Sequence, residues 1–172
     1  MGPRTYSEWM VVLDRFRSGD DAALAEIQSG SIEWTSVVAE RWTAQIAATL
    51  DERLRALSKS LQTALNRARG HDGLSNAMLM ARRGLAPLQA FSAVPAIPSE
   101  VRAYLSSEVS QWAAETQKSL ERSAEADRHR DYGRLLKTIR DNPLTATPSP
   151  PPSPSPQAPD DGLPPRGRRL LL

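Results

Sequence analysis

Between Ile32 and Arg69 the chain carries neither glycine nor proline. A run of 38 residues without a breaker can wind as one helix of about 57 Å at 1.5 Å per residue. Ser31 stands where such a helix would open and Gly70 where it would close. Its apolar positions include Trp34, Val38, Trp42, Ile46, Leu50, Leu54, Leu57, Leu61 and Leu65, and from Leu50 to Leu61 they are spaced 4, 3, 4. That is a short coiled-coil seam, continued through Ala64 and Ala68, small residues that let a neighbouring helix approach closely. An element of this length and period predicts an all-α fold.

The flanking segments agree. Thr5 and Glu8 form a T-x-x-E capping box ahead of Tyr6, Trp9, Met10, Leu13 and Phe16 at helical spacing, and Gly19 stops that helix. A brief second helix follows, with Asp20 or Asp21 as its cap, Leu24 and Ile27 on one face and Gly30 after it. A fourth is expected from near Ser75, kinked around Gly84 to Pro87, because Pro87 removes the amide that would reach the Arg83 carbonyl. Residues 93 to 98, AVPAIP, read as a turn. A fifth helix runs from Glu100 to about Arg128 and overhangs the fourth, and a sixth, Asp131 to Asp141, folds back on the bundle. No strand-period alternation and no internal repeat is present.

Proline divides the chain: ten of its 14 prolines follow Asn142. Residues 1–142 therefore read as one helical bundle domain and residues 143–172 as a disordered Pro/Ser-rich tail, partly polyproline II, which ends in a basic–leucine peptide. The expected fold is an elongated bundle of five to six helices, one of about 38 residues. About 140 residues bury enough surface to need no metal or disulfide.

Composition removes several function classes. With no cysteine and only His71 and His129, thiol chemistry, zinc ribbons and most histidine catalysis are excluded or nearly so. Glu125 and His129, with Asp127 and Asp131 nearby, lack the paired Glu-x-x-His of a di-iron bundle and read as a solvated helix end. His71 suits the helix-terminal turn after the long helix. No G-x-S-x-G, Gly-rich phosphate loop or H-E-x-x-H occurs. The expectation is thus no catalytic residue, no cofactor and no metal. The four tryptophans, Trp9, Trp34, Trp42 and Trp112, all fall on apolar stripes and read as core. In Met78-Leu79-Met80 at least one side chain must face outward.

Residues 1–142 hold 19 basic and 18 acidic side chains, so any anion-binding surface has to come from a local cluster. The cations are 19 Arg and 3 Lys, a bias associated with a GC-rich bacterial genome. The densest cluster, Arg128, Arg130, Arg134, Lys137 and Arg140, would touch phosphate if one helix face carried it. No apolar leader stands at the N-terminus, and the longest uncharged run before the proline-rich tail, 16 residues from Gly84 to Ser99, holds three prolines. A cytoplasmic chain without a membrane partner is the expectation.

Function is then expected from protein–protein contact. Arg166, Arg168, Arg169, Leu170, Leu171 and Leu172 form a docking peptide on a proline-rich tether, and the chain acts as an adaptor or assembly component. The alternative is a nucleic-acid-associated regulator using Arg128 to Arg140. The long helix, outlasting its neighbours, also leaves room for a homo-oligomer through its apolar stripe.

Overall fold

In the computed structural model, residues 2–68, 70–126 and 132–144 are described, and every regular element among them is helical. The order is α1 (Tyr6–Arg17), α2 (Ala23–Gln28), α3 (Ser36–Arg67), α4 (Gly70–Ser92), α5 (Ser99–Ala126) and α6 (Tyr132–Asp141). The all-α reading with one dominant helix holds.

The capping box forms as the sequence predicts. Thr5 Oγ1 accepts from the Glu8 amide at 3.3 Å, and a Glu8 carboxylate oxygen accepts from the Arg4 and Thr5 amides at 2.8 and 3.1 Å. Gly19 ends the segment with φ +106, a conformation side chains strain to adopt. The cap of α2 differs from expectation: Ala22 holds the N-cap position without a side-chain bond, and Asp20 serves from two residues back, accepting from the Ala22 amide at 3.1 Å.

The long helix is 32 residues rather than 38. Its first predicted turn is extended because tertiary hydrogen bonds claim that backbone and its tryptophan. The Ser31 amide donates to the Pro3 carbonyl at 3.0 Å, and the Ser31 carbonyl accepts from the Trp9 indole at 2.9 Å. Trp34 donates its indole N–H to the Ala96 carbonyl at 2.7 Å, which pins this segment to the AVPAIP turn. A helical start at Ile32 would forfeit these bonds for a few backbone ones. At the other end Ala68 leaves the helix with ψ 134, and α4 begins at Gly70, not near Ser75. A Cβ at Gly73 would lie 2.8 Å from Ala68 Cα, so this glycine permits the close return of the chain while Leu74 enters the core. Pro87 sits inside α4 without ending it.

The core follows the predicted stripes. Trp9, Leu13 and Phe16 of α1, Trp42, Ile46, Leu50, Leu54 and Leu61 of α3, Leu85 and Leu88 of α4, and Leu105 and Val109 of α5 are all buried. α4 packs against α3 and α5, while α1 lies on α3 and α2 on both α1 and α4. Gly84 sets the α3–α4 approach, since a Cβ there would meet Leu57 Cδ1 at 2.4 Å. Leu57 is half-buried in consequence, whereas its seam partners Leu50, Leu54 and Leu61 are buried.

α5, at 28 residues, outruns the 23 of α4, and α6 covers the excess. Leu120 and Ala124, the only apolar anchors there, are wholly buried together with Leu135 and Ile139 of α6. Leu144 is buried too, just past the expected domain boundary, and its amide donates to Gln117 Oε1 at 3.3 Å. Most of the apolar stripe of α3 is thus covered within the chain, with Val38, Leu57 and Leu65 partly buried.

Candidate functional site

Of the two interaction regions read from sequence, only part of one lies among the described residues. Arg134, Lys137 and Arg140 are exposed on α6, three residues apart, while Leu135 and Ile139 turn inward on the same helix. Arg128 and Arg130 lie outside the described residues, as do the tail residues Arg166, Arg168, Arg169, Leu170, Leu171 and Leu172 and the positions Asp127, His129 and Asp131. α4 supplies one more cation at this end: Arg82 donates to the Asn142 carbonyl. Among the described residues the outer face of α6 is therefore a short cationic ridge.

Several other arginines are engaged within the bundle. Arg53 stands over the Phe16 ring, 4.8 Å from its centroid, and reaches Asp21 at 2.5 Å. Arg55 pairs with Asp51 one turn back. Arg17 bonds Asp14 at 3.1 Å and Thr49 at 3.1 Å, and so ties α1 to the buried hydroxyl of α3.

Among the described residues three surface grooves stand out. The first lies between the N-terminal segment and α1, is about 400 Å³, and is lined by Pro3, Val11 and Val12 with Arg4, Glu8, Arg15 and Glu26. Its charges cancel and are engaged. Arg15 donates to Glu26 at 2.6 Å and to Asp20 at 2.7 Å, which raises the guanidinium above its ordinary value. Asp20 is lowered in return, chiefly by the Arg15 hydrogen bond, and Glu8 is lowered chiefly by the Arg4 and Thr5 amides. The second groove, about 190 Å³, runs beside Gly19, Leu57 and Gly84, and its charged lining residues are Arg17 and Arg53. The third, about 160 Å³, lies between α3 and α5 over Ala47, Ala48, Leu50 and Leu54, with Tyr104 as one wall and Asp51 and Glu108 as its charged lining.

That third groove was not among the expected sites. Its signal is nonetheless in the sequence: Tyr104 and Glu108 are i, i+4 on α5, facing Ala47, Ala48 and Asp51, a small-residue step with an acid one turn on. What single-helix periodicity cannot show is that the two steps face each other. Besides Tyr104 at 51 %, exposed apolar side chains lie elsewhere as well: Val11 at 61 %, Leu79 at 45 % and Met80 at 39 %. The outward turn of Met78-Leu79-Met80 is as the sequence requires.

Among the described residues no group of three His, Cys, Asp or Glu side chains is placed to hold a metal, and no helix is long and apolar enough to cross a membrane. Comparison with protein-family models, with curated proteins and with solved structures finds no match for the chain. The class of molecule is accordingly given by its architecture alone, a six-helix bundle followed by a proline-rich segment.

Proposed function

We propose that the protein is a non-enzymatic adaptor or assembly component, acting through contacts of its helical bundle and through a docking peptide at residues 166–172. The observation that carries this reading is the contrast between two sets of apolar residues. The stripes of the helices are absorbed in one core within residues 2–144, so that core has no need of Leu170, Leu171 and Leu172. Three leucines beside three arginines gain from burial against an apolar partner surface with an acidic rim. A proline-rich tether gives such a peptide a reach well beyond the surface of the bundle. A cytoplasmic setting belongs to the same proposal.

The test is affinity capture with the full chain and with a variant carrying Leu170→Ser, Leu171→Ser and Leu172→Ser. The variant should lose a specific partner while its thermal midpoint is unchanged. Equal capture by both forms would show that the partner surface lies on the helices. A second reading, nucleic-acid association through α6, is favoured by the common outward exposure of Arg134, Lys137 and Arg140. Retention on DNA that falls steeply with salt, and falls further in R134A/K137A/R140A, would replace the first reading with it.

A further inference from the structure

The three grooves differ in charge, and that difference selects an occupant for one of them. The groove lined by Arg17 and Arg53, both paired with acids outside it, has no carboxylate in its lining for a peptide with three arginines beside three leucines. It gains nothing electrostatic from the groove in which Arg4 and Arg15 offset Glu8 and Glu26. Of these three, the α3–α5 groove is the one that sets two carboxylates and an exposed tyrosine face beside apolar side chains, Ala47, Ala48 and Leu54, with no cation in its lining. Its volume of about 160 Å³ matches the roughly 150 Å³ of an apolar cavity that takes up a benzene ring, room for one leucine side chain. Arginine can lie on the Tyr104 ring while its neighbour pairs with Glu108. Asp51 is already bonded by Arg55, but that pair is an exposed i, i+4 contact, the kind most easily exchanged.

Tether length allows the contact. The described chain ends at Leu144, anchored on Gln117 of α5. From Gln117 back to Glu108 and Tyr104 is about 14 to 20 Å along the helix at 1.5 Å per residue. Residues 145–165 can span roughly 65 Å at 3.1 Å per residue in polyproline II. Slack beyond the span lowers the effective concentration of the peptide, so at a value on the order of 1 mM, the scale of short flexible linkers, a contact of about millimolar intrinsic affinity closes about half of the molecules.

We propose that residues 166–172 dock on the α3–α5 groove of their own chain, one leucine seated over Ala47 and Ala48 and the arginines on Glu108, Asp51 and the Tyr104 face. This rests on the reading of that peptide as a docking element and adds its regulation: the closed form withholds the peptide from a partner, and partner binding must compete with the groove.

The test uses the full chain, which has no cysteine, with Gly162→Cys carrying a nitroxide. The amides of Ala47, Ala48, Tyr104 and Glu108 should lose about half their intensity or more, in line with the closed fraction, while those of Val11 and Gly19 in the other grooves keep theirs. Asp51→Lys with Glu108→Lys should restore the signals and raise partner capture about twofold, the yield of freeing a half-closed peptide. If that double reversal disturbs the fold, Asp51→Asn with Glu108→Gln serves instead. Broadening spread evenly over the three grooves, persisting after charge removal, or weakening on dilution as a contact between copies would, overturns the proposal. Capture is scored separately. A silent groove with capture intact rejects only the contact within the chain, and a broadened groove without any capture rejects only the partner.

Discussion

The two ends of this bundle solve the same problem with different materials. At the N-terminal end, α1 meets α3 and α4 through aromatic rings. Trp9 and Trp42 are edge to face at 5.9 Å, Tyr6 lies 4.9 Å from Trp42, and Phe16 stacks on Phe91 at 5.0 Å. Indole N–H groups bond backbone carbonyls, and Arg15 and Arg17 tie helices together. At the other end, α6 holds the last turns of α5 through Leu120, Ala124, Leu135, Ile139 and Leu144, with the amide of Gln117 as the polar clasp. Rings that pack and donate at once fix position as well as burial. Aliphatic contacts on a ten-residue helix supply burial alone, and a helix that short owes its stability to packing.

Substitutions at the two ends should therefore differ in reach as well as in size. The largest effect is expected from Phe16→Ala, which empties the contact between α1 and α4 under the Arg53 guanidinium. It should cost about 3–5 kcal/mol in urea unfolding and do so for the whole bundle. A loss confined to α1 would break the comparison, since the N-terminal end would then be as separable as α6.

Gly30→Ala comes next. A Cβ there would stand 2.5 Å from the Trp9 ring, whose indole is held by Ser31, so the ring has little freedom to yield. Overpacking of this kind costs about 1–3 kcal/mol, visible as a lower thermal midpoint. At the C-terminal end, Gln117→Ala leaves the Leu144 amide and the Ile139 carbonyl without their clasp. A lost hydrogen bond of this type is worth about 0.5–1.5 kcal/mol. It should appear as faster amide exchange across α6 with α1 and α3 unchanged; exchange rising everywhere would show that α6 is as integral as the N-terminal helices.

The smallest effect is acid sensitivity of the α1 start. Glu8 is lowered below its ordinary 4.5 in the folded chain, first by the Arg4 amide and then by the Thr5 amide. Its contribution is therefore complete above the unfolded value and is lost as pH falls through the lower folded one. The Arg4 and Thr5 amide resonances should titrate together at a pH under 4.5, and Glu8→Gln should remove that titration. A midpoint at or above the ordinary glutamate value would mean that the box is not formed in solution.

Local signals carried much of the architecture. A capping box, a turn with two prolines and a stripe at 4, 3, 4 spacing are each written over a short stretch of chain; the box and the turn form as read, and the stripe is buried at Leu50, Leu54 and Leu61 and half-buried at Leu57. So does the fold-back of α6, because its stripe needs a partner and the end of α5 has one. The site was less legible: Arg134, Lys137 and Arg140 stand outward as their spacing implies, but nothing within α3 or α5 alone marks the groove that joins Asp51 to Tyr104 and Glu108.

What the sequence determined by itself was therefore the set of helices and their buried faces, since propensity, capping and periodicity act over one or two turns. Tertiary structure alone decided where α3 begins, because the Trp34 indole prefers the Ala96 carbonyl, 62 residues away, to continued helix. It decided the start of α4, where Gly73 lets Ala68 approach. It also decided which acids share a groove, since electrostatic complementarity depends on distances through space that no run of neighbouring residues encodes.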